Sequence, residues 1–429
     1  MEYHEEPKDR KHTPDVEPEE EYAFLQETFK DERGRGRISR GMVVKYACLG
    51  LVFGLAASLG FFALKPWAES MNLDNPDQVT IPEEEDVNSE ETEEVSGEIQ
   101  EQPQPLTIDN YREMNKALYD VGSETAKCVV EMQGAGTEED WQETEYDKGG
   151  SVSGIIVADN GPELLIFASS RAAGNRESIQ AKFADGRTYR ARLKQKDENL
   201  GFAVYAVQKN GLAESTRSRI GVAELGSSAV VAQGDTVIAL GSPFGYAGAM
   251  GFGVVASPKN TILNPDGEYR LICTDISGAR NGTGALVNIK GEIVGMIDQS
   301  ISDEDSMNLV TGYGISDLKG IIELLSNGLP VPYLGITGVT VTEDIAEQQG
   351  IPVGMYVQEV QADSPAMTAG IQSGDVIVGI GKEEIITLSA YHMLLMKQEA
   401  GSNVKFQGMR KGMDGYVAID YTVTVGSCN

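Results

Sequence analysis

A chain of 429 residues, 41% of them hydrophobic, is long enough for about two to three domains with cores of their own. Its formal net charge of −31 repels a phosphate backbone and excludes nucleic acid as a partner. Three histidines and four cysteines, with no metal-type spacing among them, lead us to expect no metal site and no cofactor.

Residues 1–41 are charged and poor in apolar side chains, so a disordered tail is expected. The exception, Tyr22-Ala23-Phe24-Leu25, reads equally as a docking motif or a brief helical turn. Residues 42–66 are predicted to form a transmembrane helix. Tyr46 to Leu64 is an unbroken run of apolar and small residues, and about 19 residues at about 1.5 Å each cross a hydrocarbon core of roughly 30 Å. A cleaved signal peptide is the competing reading, but the run begins too far from Met1 for an ordinary charged leader. Arg33, Arg35, Arg37, Arg40 and Lys45 precede the run and only Lys65 follows it closely, which places the N-terminus in the cytoplasm and the larger C-terminal part outside. Tyr46 and Trp67 suit the interfaces, and Gly50, Gly54 and Ser58 offer a small-residue face for helix pairing.

Over residues 67–107 basic residues vanish between Ala68 and Leu106, while acids cluster at Glu83–Asp86 and Glu90–Glu94 among several prolines. Such a stretch is expected to be an extended, self-repelling, disordered linker. A charged spacer is the favoured reading over a site for a basic partner or cation.

From residue 108 to about 328 the texture changes. Apolar runs at Gly154–Val157, Leu164–Phe167, Phe202–Val207, Thr236–Leu240 and Glu292–Ile297 are divided by Gly, Asn and Asp turns, which predicts a barrel or sandwich of strands. Ile315–Ser326 is predicted to be an amphipathic helix, with Leu318, Ile321, Ile322 and Leu325 at helical spacing. Gly328-Leu329-Pro330-Val331-Pro332 then reads as a short hinge before a last domain, 329–429.

Val237–Gly245, Thr274–Asn288, Gly291–Met296 and Gly312–Ser316 stand in the order found in HtrA/Deg-family serine proteases, which this region resembles. After the hinge, Tyr333-Leu334-Gly335-Ile336 is similar to that family's carboxylate-binding loop, and Ser364–Ile377 to its SPAxxAGLxxGDVI segment. The resemblance implies a mainly β chain: a trypsin-like double β-barrel followed by an α+β PDZ domain, behind one N-terminal transmembrane helix. It also implies that Gly312–Ile315 belongs to a strand pairing with substrate backbone, that Ala184–Arg187 is carried on a strand, and that the protein is a homo-oligomer, a trimer in the family.

The family's nucleophile loop has the form TD…GNSGGPLVN. Aligned back from Leu286-Val287-Asn288, Gly282 stands at the nucleophile, and Arg280, Asn281 and Gly282 are the remnant of the oxyanion loop. Arg171 stands at the histidine and Gly201 at the aspartate. Glycine has no nucleophile, a guanidinium is no general base, and His4, His12 and His392 all fall outside 108–328. The expectation is therefore no catalytic residue and no enzyme: a membrane-anchored pseudoprotease serving as a peptide-binding scaffold in envelope quality control or signalling. The alternatives are an active HtrA-type endopeptidase degrading misfolded extracytoplasmic proteins, with Ser169, Ser170, Asp197 or Thr283 at work after a shift in register, or a Ser–Lys or Thr mechanism. A holdase that captures chains along Gly312–Ile315 and the oxyanion-side loop is a third.

In the PDZ-like part, the N–H groups of Leu334, Gly335 and Ile336, beside Tyr333, are expected to hold a terminal carboxylate while the adjacent strand accepts a C-terminal or unfolded peptide. A helix near Ser389–Glu399 would form the other wall, with Leu394 and Leu395 as candidates for its apolar pocket. His392 either touches a ligand or, the favoured reading, lies on a solvated face. With Cys48 in the membrane, Cys128, Cys273 and Cys428 allow one disulfide such as Cys128–Cys273 or, more plainly, free thiols. Such sparse cysteine usage fits a single-pass cell-membrane protein of a Gram-positive bacterium, and the Asn281-Gly282-Thr283 sequon is then not a glycosylation site.

Overall fold

The structure, a computed structural model, describes residues 77–82, 107–134, 151–172, 179–301 and 309–428. The tail at 1–41, the span at Tyr46–Leu64, His4, His12, Cys48 and most of the 67–107 linker lie outside the described residues. Among the described residues no helix is long and apolar enough to cross a membrane.

Helix α1 (Ile108–Thr125) begins at Thr107, whose hydroxyl accepts from the Asn110 N–H while the Asn110 side chain accepts from the Thr107 N–H. That reciprocal cap satisfies two donors which the first turn would otherwise leave bare. Strands β1 (Val129–Gly134), β2 (Val152–Asp159), β3 (Glu163–Ser169), β4 (Ile179–Lys182), β5 (Thr188–Asp197) and β6 (Phe202–Gln208) then close a barrel in the order β1-β2-β3-β6-β5-β4. A second barrel follows from β7 (Thr236–Ser242), β8 (Ala249–Asn264), β9 (Gly267–Ser277), β10 (Thr283–Asn288), β11 (Ile293–Asp298) and β12 (Leu309–Gly314), in the order β10-β11-β12-β9-β8-β7. Closure leaves neither sheet with an open edge.

The period of two along a strand explains why β2 and β3 are buried on both faces. Ile156, Leu164 and Ile166 fill the first barrel, whereas Ile155, Leu165 and Phe167 face a second core shared with the other barrel. Helix α2 (Ile315–Ser326) lays Leu318, Ile321, Ile322 and Leu325 into that shared core. Phe167 stacks on Phe202 at 4.9 Å, and Phe202 meets Tyr313 edge-on at 5.5 Å, which ties the barrels together. Full burial of each such side chain contributes about 2–3 kcal/mol.

The last domain has a sheet in the order β14-β15-β16-β18-β19, built from β14 (Ile336–Val341), β15 (Gly354–Val360), β16 (Val376–Ile380), β18 (Asn403–Gly412) and β19 (Gly415–Thr424), with β17 (Glu383–Glu384) beside β16. Helices α3 (Glu343–Gln349), α4 (Pro365–Ala369) and α5 (Leu388–Met396) complete it. The tight α4 follows from its ends: Ser364 caps it through the Met367 N–H, proline starts it, and Gly370 stops it in the left-handed region.

Four expectations are corrected here. The hinge is tied down, because β13 (Pro332–Tyr333) pairs with β20 (Gly426–Ser427) and Val331 is buried. Within the acidic linker, residues 77–82 dock instead of floating: Val79 exchanges hydrogen bonds with the Asn327 side chain, and Ile81 N–H donates to Glu323. Ala184–Arg187 forms the turn between β4 and β5 and is not part of a strand. Finally, the segment Gly312–Ile315 is not one open strand: Gly312 and Tyr313 pair with β11 on one side and β9 on the other, Gly314 pairs with Gly295 of β11, and Ile315 already opens α2.

Candidate functional site

The nucleophile-loop position lies at the start of β10. Gly282 is pinned by its own neighbours: its N–H donates to the Ala279 carbonyl at 2.8 Å, and its carbonyl accepts from the Gln299 N–H at 3.0 Å. A Cβ at this position would meet the Pro243 carbonyl oxygen at 2.6 Å, so only glycine fits the loop as folded. Arg280 and Asn281 are exposed. The Gly282 N–H is thus spent inside its turn and is not presented to an oxyanion.

At the other two positions the chain has built something different. Gly201 takes a left-handed backbone (φ 74°) and closes a turn, its N–H bonded to Asp197 O and its carbonyl accepting from Ser170 N–H at 2.8 Å. Arg171, just after β3, reaches across the seam between the barrels to Asp298 at the end of β11, with Nη2 to Oδ1 at 2.6 Å, and its Nε donates to Ser169 Oγ at 3.2 Å. The Asp298 side chain is 7% exposed and also accepts from the Ser300 hydroxyl at 2.6 Å and the Ser300 N–H at 3.0 Å. Ser300 itself is exposed. Of the hydroxyls proposed by a shifted register, Thr283 is buried and accepts from Ser153 N–H across the seam at 2.8 Å, Ser169 is buried, and Ser170 is half-buried. Asp197 is buried at the end of β5, where burial pushes its carboxyl up to about 6.

Asp298 and Ser300 were not singled out from sequence. The available signal was a lone acid closing the apolar strand Ile293–Asp298, a position that costs free energy unless the charge is paired. The pairing that resolves it, with Arg171, spans 127 residues and leaves no local pattern.

The peptide-loop residues do come together. Leu334, Gly335 and Ile336 turn three backbone N–H groups toward one point, with Tyr333 beside them and α5 as the facing wall. That point holds the carboxylate of Asp266, from the turn between β8 and β9. Leu395 is fully buried in the PDZ core and Leu394 is half-buried against it. His392 is half-buried, with Nδ1 2.8 Å from the Asp266 carbonyl and its ring edge-on to Tyr269 at 5.6 Å, which corrects the solvated reading. All three described cysteines are free, and burial pushes the Cys128 thiol up to about 12.

Comparison with known proteins assigns the same two domains. The pattern of a trypsin-like peptidase domain matches residues 152–296, and that of a PDZ domain matches residues 332–420. The serine protease Do-like HtrA of Lactobacillus helveticus is 26% identical over 280 residues, covering 61% of this chain and 66% of that protein. Its namesake in Bacillus subtilis (strain 168) is 27% identical over 326 residues, covering 71% and 70%. A probable periplasmic serine endoprotease, DegP-like, of Buchnera aphidicola is 29% identical over 257 residues, covering 58% and 51%. The chain thus spans about half to two thirds of the length of most of these relatives. In fold it is similar to the HtrA-type protease AlgW solved with a decapeptide, at a TM-score of 0.52 and 21% identity over 72% of this chain and 98% of that one.

These relatives overturn the expectation that the chain is not an enzyme. Each is named a serine protease or endoprotease, which points to hydrolysis in the family that the chain matches. At the seam the exposed Ser300 donates its hydroxyl to the buried Asp298 carboxylate.

Proposed function

The chain belongs to the HtrA/Deg family of trypsin-like proteases with a PDZ domain, and on that footing we propose that it is an HtrA-type endopeptidase of protein quality control acting on misfolded extracytoplasmic polypeptides. The observation that carries the reading is the Ser300 hydroxyl donating to Asp298 at 2.6 Å beside Arg171. Ser300 Oγ attacks the scissile carbonyl as its proton passes to Asp298. Asp298 then returns the proton to the leaving amine, and water cleaves the acyl-serine. Arg171 fixes the carboxylate and supplies positive charge beside the developing oxyanion. Carboxylates as a class bind protons less tightly than imidazole, so this pair turns over more slowly than a serine–histidine pair.

The PDZ groove recruits polypeptide C-termini through Leu334, Gly335 and Ile336; the fold neighbour solved with a decapeptide supports the assignment. The Tyr46–Leu64 segment anchors the protein in the cell membrane with the barrels outside, and residues 65–76 join it to the docked segment 77–82. Ile108, Tyr111, Met114 and Tyr119, exposed on α1, are the surface assigned to a homo-oligomer. The experiment is labelling of the full-length protein with a fluorophosphonate probe, followed by peptide mapping. Adduct at Ser300 supports the mechanism, and an unlabelled protein counts against it.

A further inference from the structure

The turn between β8 and β9 does not end in solvent. Asn264 pairs with Gly267, leaving Pro265 and Asp266 as the loop, and Asp266 sits at φ 64° while only 4% exposed. Its Oδ2 accepts from the Leu334 and Gly335 N–H groups at 2.6 and 2.7 Å. Its Oδ1 accepts from Ile336 N–H at 3.1 Å and from the Tyr391 hydroxyl of α5 at 2.7 Å. The Asp266 N–H in turn donates to the Ile336 carbonyl at 2.7 Å.

These are the bonds by which an added peptide strand is held at its carboxyl end: a carboxylate in a row of backbone donors, and a strand-type backbone bond to the receiving strand. We propose that Asp266 is a built-in occupant of the peptide loop, so that a polypeptide with a free α-carboxylate binds only by displacing the β8–β9 turn. The inference rests on the reading that this loop takes peptide C-termini. One row of N–H groups does not satisfy two carboxylates at once. The occupant is tethered, so it competes at a high effective concentration. Its occupancy is not free of cost, since burial raises its carboxyl above the usual range despite the donors around it.

The test uses the full-length protein and a labelled decapeptide ending in a valine with a free carboxylate, beside its C-terminal amide. Asp266→Gly removes the carboxylate and keeps the turn, because glycine favours the φ already present. The variant should bind the free acid at least about tenfold more tightly than wild type and gain little for the amide. Equal affinity of the two proteins for the free acid, with acid preferred over amide, overturns the occupant and leaves the peptide loop standing. Indifference of both proteins to acid and amide overturns the loop reading and the occupant with it. On the unmodified chain, saturating peptide should speed hydrogen exchange at the Asp266 amide. Bound peptide with unchanged exchange there also overturns the proposal.

Discussion

Arg171 and Asp298 join the two barrels through a 2.6 Å contact between Nη2 and Oδ1. The carboxylate side chain is 7% exposed and the guanidinium 43%, so one partner is shielded and the other still meets water. Removing the cation leaves a shielded carboxylate with only Ser300 donors. Arg171→Ala should therefore cost about 1–3 kcal/mol in urea unfolding and abolish probe labelling at Ser300. Unchanged stability together with unchanged labelling would show that the pair holds nothing.

A second carboxylate predicts a pH dependence. Asp197 Oδ1 accepts from the Asn199 N–H at 3.1 Å, while Oδ2 is buried without a partner. Burial pushes the group up to about 6, above the ~3.9 of an unfolded aspartate. The folded protein therefore holds the proton more tightly than the unfolded chain. Its charged form costs stability at pH 7, and that cost is relieved as pH falls through 6 toward 4. The penalty is about 3 kcal/mol at most. Asp197→Asn should exceed wild type in stability by up to that amount at pH 7 and match it near pH 4. Denaturant unfolding across this range checks the point, and a variant weaker than wild type at pH 7 contradicts it.

The PDZ domain has its own buried ion. Asp375, 1% exposed, accepts from Arg410 Nε at 2.7 Å, Arg410 Nη2 at 2.8 Å, the Tyr421 hydroxyl at 2.7 Å and the Gln372 N–H at 2.8 Å. Burial raises its carboxyl, but these donors outweigh burial and hold it below the usual range. Arg410→Ala strands a buried charge and should cost about 3–5 kcal/mol, read as a lower PDZ melting transition. A loss comparable to that of an ordinary surface ion pair would refute the assignment.

Periodicity made much of this fold legible. The helix predicted at Ile315–Ser326 has those ends, because its four apolar positions sit on one face of a 3.6-residue turn and all four are buried. The runs Leu164–Phe167 and Phe202–Val207 lie within strands since they are buried on both faces. What sequence did not reveal are contacts between distant residues. Pro265-Asp266-Gly267 reads as an ordinary turn, and only the fold brings Asp266 to Leu334, 68 residues away. The docking of Val79 and Ile81 was masked by the acids and prolines around them, which dominate composition over any short window.

Hydrolysis at the seam can be read directly from casein cleavage. Full-length protein and its Ser300→Ala variant, incubated side by side with unfolded casein and resolved by mass spectrometry, test it directly. The wild type should cleave casein slowly and the variant should leave it intact; intact casein with both proteins, or equal cleavage by both, would rule out hydrolysis at Ser300.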